Sequence, residues 1–318
     1  MSAGRLIGRV VEIHRHPVKS MGGERVEETP LALRYGVAGD RAWAIRDVAA
    51  GEIRGAKKIP ALLGLAARYV VPPSERGAAL VEIDLGDGQR VRSDAVDASA
   101  RLSDRLGRAV ELCARRPADD LAHYRRARPI TDPESEIREA SELLPEESLP
   151  AMDAPPPVDL SVVGEYVAPP GTYFDFFDLH LVSTGSLGRF AALVPGSKVE
   201  ARRFRPNLVV ELEAPRSAEG GARSSGASAA SDPIEPDAGA DWPELAWVGR
   251  VLAIGGAELE LTMPMMRCGM TTHAQPGLPK DPRIMRALVR DCGMNLGAGV
   301  TVRRAGRVRV GDGIRVVG

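Results

Sequence analysis

Short β-branched runs closed by glycine turns recur along this chain, and they constrain its fold more than any other feature. Ile7-Gly-Arg-Val-Val-Glu-Ile13 is β-branched with partial alternation. Arg41-Ala-Trp-Ala-Ile45 alternates, and Ala79-Leu-Val-Glu-Ile-Asp-Leu85 runs into Gly86-Asp-Gly88, the pattern of a strand entering a hairpin. The tail from Gly299 to Val317 repeats the motif, with turns at Ala305-Gly306 and Gly311-Asp-Gly313. Such strands specify a barrel or meander rather than βαβ units. In the first half, helical pattern is confined to Ser99–Leu106 and parts of Lys57–Ala67. The expected fold class is α+β, mostly β. An N-terminal β-barrel-like domain over residues 1–115 is expected to pack on a second β-barrel domain with peripheral helices over 158–318.

The segment 116–157 is polar and rich in Glu and Pro, so it reads as the junction, with a helix-compatible stretch from Pro133 to Leu143. Beyond it, Thr172 to Val182 is an aromatic and apolar strand candidate. Ser183-Thr-Gly-Ser186 offers an N-cap for a helix through Leu193, and Phe204 to Glu213 returns to strand. Residues 214–241 are Ser, Ala, Gly, Pro and acid, with almost nothing to bury, and are expected to form a disordered loop interrupting the domain.

Charge narrows the partners. Lys plus Arg number 42 against 43 Asp plus Glu, so no whole-molecule field draws nucleic acid or an anionic membrane. The arginines of the tail read as the wet face of a strand. The start has no apolar leader core and no stretch approaches ~20 apolar residues, so a soluble cytoplasmic protein is expected. Cys113, Cys268 and Cys292 are widely spaced and make no disulfide framework.

Cys268, in Met263-Pro-Met-Met-Arg-Cys-Gly-Met-Thr-Thr-His273, is the thiol with chemical promise. Arg267 beside it favours thiolate, Gly269 leaves the backbone open, and Thr271 and Thr272 supply hydroxyls. A cysteine phosphatase loop is excluded, because position 274 is Ala where an Arg is needed. Cys268, His273 and Cys292 are too few and too irregular for zinc, and three cysteines are too few for an iron–sulfur cluster. Cys113 and Cys292 read as small buried residues. His14 and His16 read as structural or solvated and His180 as a core histidine, while His273 is a candidate proton donor.

Three strand ends gather groups suited to a phosphate: Lys19-Ser20 after His16-Pro-Val, Asp40-Arg41, and Arg203-Phe-Arg-Pro-Asn207. Together with Gly39-Asp-Arg-Ala-Trp43, Leu181-Val-Ser-Thr-Gly-Ser-Leu187, Arg267-Cys268 with Thr271-Thr272, and the tail around Gly311-Asp312, these motifs resemble the MOSC family, the molybdenum-cofactor sulfurase C-terminal type of domain, with its N-terminal β-barrel partner. The layout is similar to that of proteins reducing amidoximes and other N-hydroxylated bases.

The resemblance implies a molybdenum–molybdopterin cofactor, with Cys268 as metal ligand and catalytic centre. It implies pterin contacts from Lys19, Ser20, Arg41, Ser183, Thr184, Arg205, Asn207 and Arg267. A soft thiolate suits molybdenum in a sulfur-rich shell. His273-Ala-Gln-Pro-Gly277 departs from the Asp-Pro loop common in the family, and Met266 stands where many relatives carry a small or hydroxyl residue. The expected function is reduction of N-hydroxylated small molecules, with electrons from a separate reductase or ferredoxin-like protein. The alternatives are a persulfide carrier acting through Cys268 and a non-catalytic cofactor-binding protein.

Overall fold

The computed structural model describes residues 4–74, 77–149, 160–212 and 242–317. Its largest element is a closed seven-stranded barrel. In order round the barrel the strands are Leu208–Leu212, Leu179–Ser183, Asn295–Arg304, Ala257–Met266, Val251–Ile254, Gly313–Val317 and Leu6–Arg15, which pairs back onto Leu208–Leu212. Alternation decides what fills it. Leu179, Leu181, Leu208 and Val210 join the interior cluster with Ile7, Ile13, Leu259 and Val300. The intervening Val182 and Val209 belong to a second apolar layer with Phe190, Ile284 and Leu288 from the helices Thr184–Leu193 and Arg283–Cys292.

One neighbouring pair in the barrel is parallel, Leu179–Ser183 with Leu208–Leu212. Parallel neighbours need a crossover, and the helix Thr184–Leu193 supplies it. Ser183 caps that helix, its Oγ accepting from the Ser186 N–H at 3.0 Å, as the sequence led one to expect.

The first strand crosses the expected domain boundary. Leu6–Arg15 pairs with Leu208–Leu212 and Gly313–Val317, so the large barrel takes a strand from the segment assigned to the N-terminal domain. Glu28–Ala32 likewise pairs with Gly306–Arg309. Between these excursions lies the N-terminal module proper. It holds the sheets Val110–Ala114/Trp43–Asp47/Glu52–Arg54 and Ala66–Tyr69/Val81–Asp84/Arg90–Arg92, with the helix Ala98–Leu106. Its core includes Val18, Met21, Ile45, Leu62 and Leu102. The turn His16–Ser20 is therefore where the chain leaves one core for the other.

Several expected elements are shorter. Thr172–Asp178 is irregular rather than strand: Thr172 closes a turn on Pro169, and the Tyr173 carbonyl accepts from Lys19 instead of a ladder partner. The strand expected from Phe204 begins at Leu208, because Phe204 ends the helical turn Ala201–Phe204 and Arg205 is left-handed at φ 52°. The Lys57–Ala67 stretch holds one 3₁₀ turn, Pro60–Gly64, and then a strand. Arg41 precedes its strand, which starts at Trp43. The junction contains the helix Pro133–Ala140. The loop expected over 214–241 lies outside the described residues, as does the end of the junction. Among the described residues, no helix is long and apolar enough to cross a membrane. The tail arginines are paired with acids on the wet face: Arg304 with Glu258, and both Arg307 and Arg309 with Glu28.

Candidate functional site

The long strand Ala257–Met266 delivers Arg267 and Cys268 to one rim of the barrel, where Cys268 opens the 3₁₀ turn Gly269–Thr272. The turn is braced from within. Both the Thr271 N–H and the Thr271 hydroxyl donate to the Cys268 carbonyl at 3.1 Å, and the Thr272 hydroxyl donates to Gly269 O at 2.7 Å. It is also clamped from behind by Arg203, whose buried guanidinium donates to the carbonyls of Thr271, His273 and Pro279 as well as Lys198. Arg203 is thus engaged with backbone carbonyls and positions the thiol turn. Cys268 itself is half-buried and reachable.

Arg267 is buried beneath the thiol. Its Nη2 donates to Phe204 O at 2.6 Å, and the same carbonyl faces His180 Nδ1 at 3.1 Å. Across the rim, Arg205 donates through Nη1 to Met21 O at 2.6 Å. Burial, then the neighbouring Arg41, pushes Arg205 down to about 9. Burial also lowers Arg267 to about 10, against the pull of Cys268 and Asp175. Both remain charged at neutral pH. Burial and Arg267 together hold His180 well below the usual histidine range, so its imidazole is neutral.

The N-terminal module supplies the facing wall. Lys19 is buried and donates at 2.8 Å both to Tyr173 O and to Asp175 Oδ1. Burial lowers its pKa, with Asp175 opposing and Arg41 and Lys57 adding to the fall. The enclosure of Asp175 works against its charge, yet Lys19, Lys57 and Arg41 overcome this and hold the carboxyl below the ordinary range; the side chain still reaches solvent. Ser20, at φ 70°, accepts from the Ala56 N–H at 2.8 Å. Arg41, at φ 45°, bonds the fully buried Asp40 at 2.6 Å, and Asp40 in turn accepts from the His16 N–H at 2.6 Å. Non-glycine residues rarely adopt positive φ, and three of the expected contacts, Ser20, Arg41 and Arg205, do so.

Lys19, Arg41, Arg205, Arg267 and Cys268 thus lie within electrostatic reach of one another, Arg41 acting on Lys19, Arg205 and Arg267, and Cys268 on Arg267; this group together with Ser20 is called the cleft. Three residues there carry no sequence signal of their own. Asp175 hides in an aromatic run and Lys57 in a stretch that reads as helical, while His16, read as structural or solvated, is buried. Lys57 feels the thiol: Cys268 is the main cause of its raised pKa, with burial opposing.

Other expected contacts lie elsewhere. Asn207 is fully buried, and its amide ties two strands, accepting from the His180 N–H at 3.1 Å and donating to His14 O at 3.3 Å. Ser183 and Ser186 both donate to the buried Glu244 carboxylate, at 2.5 and 2.6 Å, and Thr184 is exposed on the first turn of its helix. No described contact joins Ser183 or Thr184 to the cleft. His273 sits one turn beyond the thiol, with Nε2 at 3.8 Å from Glu142. Burial lowers its pKa against the pull of Glu142, which leaves it neutral at pH 7.

One feature of the cleft fits an anionic cofactor. Arg205 Nη2 and Arg267 Nε are buried donors without a hydrogen-bond partner among the described residues, a costly state unless a ligand accepts from them. Among the described residues, no group of three or more His, Cys, Asp and Glu gathers to hold a metal.

Two family models match the sequence: the MOSC N-terminal beta barrel domain over residues 7–124 and the MOSC domain over 238–315. No curated protein matches. Among solved structures, the YuaD protein from Bacillus subtilis aligns over 98% of this chain and 96% of its own, at 12% identity and a TM-score of 0.40. YiiM from Geobacillus stearothermophilus aligns over 45% of this chain and 55% of its own, at 14% identity and a TM-score of 0.29.

Proposed function

This chain belongs to the MOSC-domain proteins, and from that premise we propose that it is a molybdenum-cofactor oxidoreductase reducing N-hydroxylated small molecules with electrons from a separate reductase. The observation that carries the reading is a reachable thiol, Cys268, that feels the charges of Lys57 and Arg267, joined to a wider set of cations in which Arg41 faces Lys19, Arg205 and Arg267, with Arg205 and Arg267 each bearing a buried donor without a partner among the described residues.

Cys268 would ligate the metal, and the cations would hold the pterin's phosphate and ring edge. The bound molybdenum supplies the two-electron chemistry that removes oxygen from nitrogen. Everything else falls to the chain. Arg203 and Thr271 keep the thiol turn rigid, so the sulfur is presented in one place. Arg41 is aimed by Asp40, and Lys19 by Tyr173 O, so neither has to be ordered when an anion arrives. An anion would replace Asp175 as a partner of Lys19 or share it. His273, neutral and half-buried beside the thiol turn, can hold or pass a proton through its ring, with the Glu142 carboxylate 3.8 Å from Nε2.

Molybdenum and pterin analysis of protein made in a cofactor-competent host, followed by turnover of benzamidoxime with reduced viologen, tests the proposal. Stoichiometric metal with benzamidine formed is the expected result. A cyanide-releasable sulfur on Cys268 without metal would establish the persulfide carrier instead, and loaded protein that turns nothing over would establish a storage protein.

A further inference from the structure

The irregular segment Thr172–Asp178 places one carboxylate, Asp175, against the cleft's cations, and it is pinned on either side of that residue. Tyr173 and Phe174 are buried. The Tyr173 hydroxyl donates to Ala114 O at 3.0 Å, and the Arg41 guanidinium lies over the Phe174 ring, 5.5 Å from its centre. On the other side, Phe177 lies so close to Gly299 that a Cβ there would come within 2.3 Å of the ring, and Asp178 accepts from the Val302 N–H at 3.1 Å. Between these anchors Asp175 and Phe176 are exposed, so the Asp175 side chain can turn about its own bonds while the segment stays put.

The Asp175 side chain is 60% exposed, and Lys19 is its one hydrogen-bond partner among the described residues, at 2.8 Å. Its charge nevertheless acts on Lys19, Arg41, Arg205 and Arg267, and on Lys57 beside them. Asp40, by contrast, is fully buried against Arg41 and has no way out. Lys19 keeps its place without Asp175, because Nζ also donates to Tyr173 O at 2.8 Å. Nor does Asp175 exhaust the donors. With it in position, Arg205 Nη2 and Arg267 Nε are still buried and without a partner among the described residues.

We propose that Asp175 is an internal counter-ion that stands in for the ligand's anion, and that it makes the cleft selective for doubly charged anions of the phosphate type. Without ligand, the carboxylate offsets the repulsion among the cations. A phosphate group takes its place at Lys19 and meets donors that Asp175 leaves unmet, while Asp175 swings into solvent. A small monoanion brings no more charge than Asp175 does, and it competes with a group tethered at high effective concentration. It is therefore kept out. The proposal rests on the reading of the cleft as an anion site, and not on the reductase activity.

The test uses the full-length chain from a host that makes no molybdopterin, with inorganic phosphate and formate as probes at matched ionic strength. Thermal unfolding reads binding, because an anion held only by the folded chain raises Tm. Phosphate should raise the Tm of wild type, and formate should not. Asp175→Asn should bind phosphate about tenfold more tightly, the scale of one charge-assisted contact, and should respond to formate as well. Asp175→Ser removes the charge with a different side chain and should behave alike, so a folding defect peculiar to one variant does not decide the outcome. Phosphate affinity no tighter than wild type in both variants would overturn the proposal. So would a wild type that responds to formate as strongly as to phosphate, or no response to phosphate in any of the three proteins. The expected anion responses, in a chain that fails to turn over benzamidoxime once loaded with cofactor, would overturn the reductase reading alone.

Discussion

Arg267 Nη2 donates to the Phe204 carbonyl at 2.6 Å, tying the residue before the thiol to the helical turn that ends at Arg205. Two of the cleft's cations therefore share one anchor, although they are far apart in the chain. A lysine cannot reproduce the planar fork that reaches this carbonyl and still leaves Nε facing inward. Arg267→Lys should fold and keep its charge, yet lose cofactor on dilution about tenfold more readily than wild type. Pterin content after gel filtration checks this, and full retention would mean the guanidinium geometry is immaterial.

Lys19 and Arg41 face the cleft from the other module. Removing either charge should lower cofactor affinity roughly ten- to a hundred-fold, the scale of one charge-assisted contact, without unfolding the protein. Lys19→Ala and Arg41→Ala that purify with full pterin would place the phosphate elsewhere.

Arg203 acts structurally. Its guanidinium is fully buried and meets four backbone carbonyls, so Arg203→Met leaves these acceptors without a partner. The expected loss is about 3 kcal/mol in denaturant unfolding, with Cys268 alkylating faster in the cofactor-free protein as the turn loosens. A variant as stable as wild type would show that the loop holds itself.

Glu244 gives the fold a pH signature. Burial raises its carboxyl above the ordinary glutamate range, against the hydroxyls of Ser183 and Ser186. The folded form thus holds its proton more tightly than the unfolded form does. Its contribution to stability is full below the ordinary glutamate pKa and declines as pH rises through the raised value. Glu244→Gln removes this slope, so the Tm of wild type relative to the variant should fall as the pH rises above the ordinary glutamate range. Parallel Tm profiles would contradict the assignment.

The sequence made some of this legible and hid the rest for physical reasons. Cys268, Lys19 and Arg41 stand out because cations and a thiol at strand ends cannot be explained by the alternation that builds a barrel. Ser183 was readable as a cap, but its engagement with Glu244 depends on a residue 61 positions away. Asn207 carries the chemistry of a ligand contact, yet its amide is engaged in backbone bonds that only the strand register reveals. Asp175 and Lys57 lie in an aromatic run and an alanine–lysine turn, patterns that are shaped by local composition and say nothing of what lies opposite. The first strand's membership of the large barrel rests on pairings with residues some 200 and 300 positions on, beyond any local signal.

The account turns on the sulfur of Cys268, and its alkylation measures that atom directly. Iodoacetamide labelling, mapped by mass spectrometry, compares loaded protein with protein stripped of cofactor. Cys268 should be protected in the first and labelled in the second. Cys113, whose pKa burial raises, and Cys292, which burial pushes up to about 12, should label slowly in both. Loaded protein whose Cys268 is alkylated as fast as in the stripped form would contradict metal ligation, and the reductase reading with it.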